Sequence, residues 1–220
     1  MPQQEDLARV LTFLGRLRRN NNRPWFEAHR TDYEAALADF EAFVGRLIVS
    51  WGREETLGGI RPKDCIMRIY RDIRFSADKT PYKRNFAAHI GAGGRKSPRL
   101  GYYVHVEPRG ESLVAGGLYA PTPPQLTAFR QAIAADARPF RRILANRTFK
   151  KHFGALEGDA VKTVPKGIRR DHPDLDLLRL KQVVVWEAFP DTVAGSSRFH
   201  DAVIESFRTL RPFLDYLNAL

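Results

Sequence analysis

Hydrophobic residues in this chain change their spacing twice, and that change constrains the fold more than any single motif. From residue 5 to 18, Leu7, Val10, Leu11, Leu14 and Leu17 recur every three or four positions, the spacing of an amphipathic helix. Asn20, Asn21 and Asn22 break the pattern, and Pro24 suits the first turn of a second helix. That helix carries Phe26, Tyr33, Leu37, Phe40, Val44, Leu47 and Trp51 along one stripe, so the two should form an antiparallel hairpin. Between residues 65 and 121 the period shortens. "CIMRIYR", "RNFAAHIG", "GYYVHVEP" and "SLVAGGLYAP" are short β-rich runs bounded by Gly and Pro turns. Links this short force neighbouring strands to pair antiparallel. Gly116 and Gly117 inside the fourth run indicate a bulge or a close approach of another group to the backbone.

Helical spacing then returns. Thr122, Pro123 and Gln125 form a capping-box pattern ahead of Leu126, Phe129 and Ile133. Pro139 opens a short helix, and another is expected from about Pro173. A fifth strand is expected over 183–186 and a last helix from Ser196 or Ser197, with Pro212 bending it or ending its first part. The expected fold is α+β: one domain over residues 1–220, with a mainly antiparallel central sheet of about five strands. An N-terminal helical hairpin and C-terminal helices flank the sheet.

No apolar run approaches the roughly 18–20 residues of a membrane-spanning helix. The start "MPQQEDLARV" lacks the pattern of a secretion signal, and Cys65 is the single cysteine, so a cytoplasmic protein with no membrane partner is expected. The six histidines show no metal-ligand spacing, and no metal site is expected. "GAGGRKS" lacks the Gly that must precede Lys-Ser in a phosphate-cradling loop and reads as a hairpin turn. No Gly-x-Ser-x-Gly motif supports serine hydrolase chemistry.

Charge is the informative part. The chain carries a net +11, and residues 61–99 hold eleven Lys and Arg against three Asp, leaving +8 in that stretch. Such packing concentrates anions locally. Its densest portion, "RIYRDIRFSADKTPYKRN" over 68–85, sets Arg68, Arg71, Arg74, Lys79, Lys83 and Arg84 around Asp72 and Asp78. Arg grips an anion through two parallel N–H bonds and Lys adds a mobile point charge. The competing reading has Asp72 and Asp78 pairing with these arginines and fastening the loop. A second basic set includes Lys166 and Lys181. His105 shares the more polar face of its strand with Tyr103 and Glu107, which makes it a candidate acid or base, against the plainer reading of a satisfied sheet histidine.

These segments resemble the family called domain of unknown function 2461. The resemblance rests on "NNNRPWFEAHRTDY", "RIYRDIRFSADKTPYK", "GYYVHVEP" with "GGLYAP", "PKGIRRDHPDLDLLRLK" and "FLDYLN". It covers nearly the whole chain, implies no activity, and supports Arg68, Arg71, Asp72, Arg74, Asp78, Lys79, Tyr82, Lys83, Lys166 and Lys181 as one site. The leading expectation is a basic pocket for a phosphate-bearing or otherwise anionic small molecule, with Asp72, Asp78 or His105 moving a proton if a reaction follows. Alternatives are a nucleic-acid-binding module, with Tyr70, Tyr82, Tyr102 and Tyr103 stacking bases, and a domain that docks acidic partners. The sequence names no cofactor and sets no oligomeric state.

Overall fold

A computed structural model describes residues 7–220. The first two residues of the expected first helix, 5 and 6, lie outside the described residues. The elements are α1 (Ala8–Arg19), α2 (Arg23–Ala28), α3 (Arg30–Trp51), α4 (Pro62–Cys65), β1 (Phe86–Ile90), β2 (Tyr102–Val106), β3 (Ser112–Leu118), α5 (Pro123–Asp136), α6 (Arg138–Ala145), α7 (Arg147–Phe153), α8 (Leu175–Leu178), β4 (Val183–Phe189), α9 (Asp191–Ala194) and α10 (Arg198–Asn218). A 3-10 turn, Gly94–Lys96, lies between β1 and β2. The architecture is α+β, with one antiparallel sheet in the order β1-β2-β3-β4. No described helix is long and apolar enough to cross a membrane.

The sheet has four strands among the described residues, one fewer than expected. The 65–71 run is the one that drops out. Cys65 closes the α4 turn, and the rest makes isolated bridges at Ile66 to Ala88 and at Tyr70 to Tyr82. Four positions separate Ile66 from Tyr70, but six separate Tyr82 from Ala88, so the two bridges cannot share one continuous ladder.

Two compact units make up the chain. The first contains residues 7–98, 102–114 and 188–205. There α1 and α3 run antiparallel, tied by Arg9 to Asp39 at 2.7 Å and Arg16 to Asp32 at 2.9 Å. The expected long second helix is divided at His29, whose ring Nδ1–H donates to the carbonyl of Trp25 at 2.8 Å. The same carbonyl also accepts the His29 backbone N–H at 3.1 Å, and the helix restarts at Arg30. Phe26, Phe40 and Phe86 fill the core with Phe13, and Trp51 meets Tyr102 edge to face at 5.0 Å. β1 pairs with β2 in a register that sets Ala87 opposite His105 and His89 opposite Tyr103.

The second unit contains residues 99–101, 115–187 and 206–220. The capping box at Thr122 forms as its residues require, with the Gln125 carboxamide accepting from the Thr122 N–H at 2.9 Å. Phe129, Phe140, Phe149 and Phe213 form its aromatic core. α10 continues through Pro212 as one helix, where the sequence suggested a bend or a stop.

Gly116 and Gly117 fulfil the expectation of a close approach. A Cβ at Gly116 would meet Leu210 and Leu214, and one at Gly117 would strike the carbonyl of Val183. Gly117 also has φ +118, a conformation that L side chains rarely adopt. Strain and overpacking each cost roughly 1–3 kcal/mol. Gly117→Ala is therefore expected to cost about 3 kcal/mol or more in chemical denaturation, while Gly110→Ala, with open space around it, costs less.

Candidate functional site

The basic stretch folds as a short hairpin. Backbone bonds from Arg71 N–H to Pro81 O at 2.9 Å and from Lys83 N–H to Ile69 O at 2.7 Å flank the Tyr70–Tyr82 bridge. Asn21 clamps it to the turn between α1 and α2, since its amide donates to Tyr82 O at 2.9 Å and accepts from Tyr82 N–H at 3.1 Å. Tyr82 is buried and stacks on Phe26 at 4.0 Å, so it anchors the hairpin. Burial raises its phenol above the ordinary tyrosine range.

Inside the loop the cations turn inward. Arg71 donates to Asp78 at 2.6 Å, to Ser76 Oγ at 3.2 Å, and to both the carbonyl and the hydroxyl of Thr80. Arg74 holds Asp72 with two bonds of 3.0 and 2.7 Å, and Lys79 donates to Ile73 O at 3.0 Å. The Thr80 backbone N–H and hydroxyl, with Arg71 adding to them, push the Asp78 carboxyl down to about 2. The Arg74 side chain, followed by its backbone N–H, lowers Asp72. Arg68 and Lys83 make no such intraloop bond. Burial lowers the Lys83 ammonium, and the charge of Arg68 lowers it further, which puts these two cations close together.

A second arrangement forms at the end of β2. Glu107 is 6% exposed, yet it bonds His105 Nε2 at 2.9 Å, Asn85 at 3.3 Å and Arg18 at 3.4 Å, with Arg84 at 3.8 Å. Burial pushes this carboxyl up, but the bond from His105 and its other hydrogen bonds outweigh that and leave it lowered. On the other side of the His105 ring, Nδ1 lies 3.1 Å from the Tyr103 hydroxyl. Arg18 also pairs with Glu111 at 3.0 Å. Beside this network lies a groove of about 520 Å³ lined by Gly15, Arg18, Arg19, Arg84, Pro108 and Arg109, none of them acidic. Arg109 has φ +79, and its N–H and that of Gly110 donate to the Asp191 carboxylate at 2.8 Å each, which fixes the turn.

The structure thus brings Arg68, Arg71, Asp72, Arg74, Asp78, Lys79, Tyr82 and Lys83 into one hairpin of the first unit, where three of the cations serve the loop itself. His105 sits in the neighbouring network. Lys166 and Lys181 are exposed residues of the second unit. Sequence reasoning missed Arg18, Arg19 and Arg109, which lie outside the dense basic run. The Arg-Arg end of α1 and the Pro-Arg-Gly turn after Glu107 were the signals available. No described group of three or more His, Cys, Asp or Glu is placed to hold a metal ion. Burial pushes the Cys65 thiol up to about 11, which removes it as a thiolate.

An α+β chain with a cationic hairpin and an arginine-lined groove is the class defined by this geometry. Residues 9–216 match the family described as conserved hypothetical protein, DUF2461, and the chain belongs to that family. No match was found among curated proteins or among solved structures.

Arg71→Ala is expected to raise amide exchange across residues 72–80 about tenfold at neutral pH, with little change in the thermal midpoint. In the unaltered chain the same loosening is expected on acidification. An Asp whose folded pKa lies below its unfolded value near 3.9 stabilises above the latter, and that contribution fades as pH falls toward about 2.

Proposed function

We propose that this protein binds a small molecule carrying a phosphate or comparably compact anionic group in the groove between Arg18, Arg19, Arg84 and Arg109. The supporting observation is that four arginines and no acidic residue line the groove, with Glu107 and Glu111 behind it taking up Arg18 and Glu107 also lying 3.8 Å from Arg84. Its volume lies within the range of about 300–1,000 Å³ common to small-molecule sites. Glu107, the nearest buried acid, is already engaged by His105 and Asn85. Among the described residues the side chains of Arg19 and Arg109 have no partner, which leaves their N–H donors for an incoming anion. Arg68 and Lys83 add to the positive field of this unit, and Arg71, Arg74 and Lys79 hold the hairpin in shape. The cations of the second unit are outside this proposal.

Of the three residues considered for proton transfer, His105 suits the task best. Asp72 and Asp78 are held ionised by their arginine and amide partners and are therefore weak bases. His105 has a carboxylate on one ring nitrogen and a phenol on the other, so it can accept a proton on one side while its charge is balanced on the other.

Arg109→Gly separates binding from stability. Glycine relieves the positive φ at this position, and the variant is expected to gain about 1 kcal/mol in denaturation. It is also expected to lose roughly tenfold or more in affinity for inorganic phosphate by calorimetry, the worth of a charge-assisted hydrogen bond. Arg74→Ala should bind phosphate as the unaltered chain does. Equal affinity in all three proteins would sink the groove assignment.

One observation favours a second reading. Phe75 at the hairpin tip is 96% exposed and Tyr70 is 44% exposed, so bases could stack there while cations track phosphates. Tyr82 and Tyr102 are buried and cannot take part. Under this reading a single-stranded oligonucleotide engaged through ~5 phosphates should give a log–log salt slope of about −3.5. Phe75→Ala should weaken that binding, and absence of binding at low salt removes the reading.

A further inference from the structure

The polar face of β2 carries more than one histidine can account for. Tyr103, His105 and Glu107 alternate along it, so their side chains share one side of the sheet. The Tyr103 hydroxyl is 3.1 Å from His105 Nδ1, and His105 Nε2 is 2.9 Å from the Glu107 carboxylate. Because Glu107 is ionised and accepts, Nε2 carries the hydrogen and donates it. In the neutral ring that leaves Nδ1 with the lone pair, and Tyr103 donates its O–H to it. This is the order of a carboxylate, an oriented imidazole and a hydroxyl that is activated by it.

A second, independent feature lies beside the phenol. The β1–β2 register sets His89 directly opposite Tyr103. His89 Nε2 is buried and has no hydrogen-bond partner among the described residues. Burial lowers the pKa of this ring, so it stays neutral and lacks even the compensation of a charge. An unpaired buried polar atom costs about 1–3 kcal/mol, and a ligand atom placed there would satisfy it. Opposite His105 the register puts Ala87, and the His105 side chain keeps 14% of its surface exposed.

We infer that Tyr103 is an activated phenol, the acid–base group that meets a ligand on this face. His105 takes its proton, Glu107 balances the resulting imidazolium, and His89 offers its ring nitrogen to the ligand. The chemistry supplied is proton transfer to or from a small polar molecule. The inference rests on His105 as the proton carrier of the preceding section, and it does not depend on the arginine groove.

An aryl sulfonyl fluoride tests it without knowledge of the natural ligand. The phenol oxygen forms a bond to sulfur, the sulfur–fluorine bond breaks, fluoride leaves, and the phenol proton passes to His105 Nδ1. Tyr119, 72% exposed and outside the relay, is the internal reference in the same digest. At pH 7 Tyr103 is expected to be labelled on the order of 10²-fold faster than Tyr119, the usual worth of a positioned base. His105→Gln should bring it to the Tyr119 rate, and Glu107→Gln should slow it markedly. Labelling of Tyr103 in the unaltered chain no faster than Tyr119 overturns the inference, and this comparison needs no variant to fold. An unchanged rate in folded His105→Gln overturns it as well. His89→Leu should slow capture several-fold, and an unchanged rate removes His89 from the assignment. Phosphate calorimetry on the same samples keeps the two readings apart. Fast labelling without phosphate binding sinks the groove alone, and phosphate binding with ordinary labelling sinks the relay alone.

Discussion

Burying one carboxylate sets most of the demands on the polar side of β2. Glu107 can stay ionised at 6% exposure only if hydrogen bonds replace the water it gives up. Those bonds come from three parts of the chain: His105 on its own strand, Asn85 just before β1, and Arg18 in the last turn of α1. Ser112 at the start of β3 fastens the backbone, accepting from Glu107 N–H at 3.1 Å and donating to Glu107 O at 3.0 Å. The position of α1 along the sheet, the orientation of the His105 ring and the start of β3 are thus linked through one side chain. Losing any partner would leave a buried charge short of a donor, a larger penalty than the bond itself confers.

The three consecutive asparagines show how the basic hairpin is attached. Asn20 is the C-cap residue of α1 and its amide donates to Arg16 O at 3.0 Å. Asn22 caps α2 by accepting from the Trp25 N–H at 3.0 Å. Asn21, between them, is free of capping duty and uses both ends of its amide on the backbone of Tyr82. A side-chain amide has one donor group and one acceptor, so it pairs with a peptide unit as a strand neighbour would. With Tyr82 stacked on Phe26, this clamp makes the hairpin part of the first unit's core.

Hydrophobic patterning made the longer helices and all four strands legible, because each buries apolar side chains in a regular element. Phe199, Val203, Phe207, Leu210, Leu214 and Leu217 of α10 are all buried as their spacing implied. What periodicity could not carry was backbone continuity. Residues 65–71 have strand-like composition, but a two-residue mismatch with the opposing segment breaks the ladder. The helix expected to run on from Pro24 is divided at His29, and α10 passes through Pro212 without stopping there. His105 was legible as a polar-face histidine. Its link to a buried Glu107 was not, since burial of Glu107 depends on α1, nearly ninety positions earlier.

Charge density along the sequence proved a poor guide to where cations are available, and the reason is local geometry. Asp72 with Arg74, Asp136 with Arg138 and Arg169 with Asp171 are each spaced by two residues, and each forms a two-bond guanidinium–carboxylate pair. A neighbour so close lies within reach in most backbone conformations, so little loop entropy opposes the pairing. A run rich in both signs therefore neutralises part of itself. Arg19 and Arg84 have no acid at that spacing; Arg109 has two, Glu107 and Glu111, but pairs with neither among the described residues, since Arg18 reaches both. Glu107, their nearest buried carboxylate, already accepts from a histidine, an amide and Arg18. These cations come from separate parts of the chain, and with Arg18 taken up by Glu107 and Glu111 it is Arg19 and Arg109, without an ion pair among the described residues, that favour an anion there over the loop where basic residues are densest.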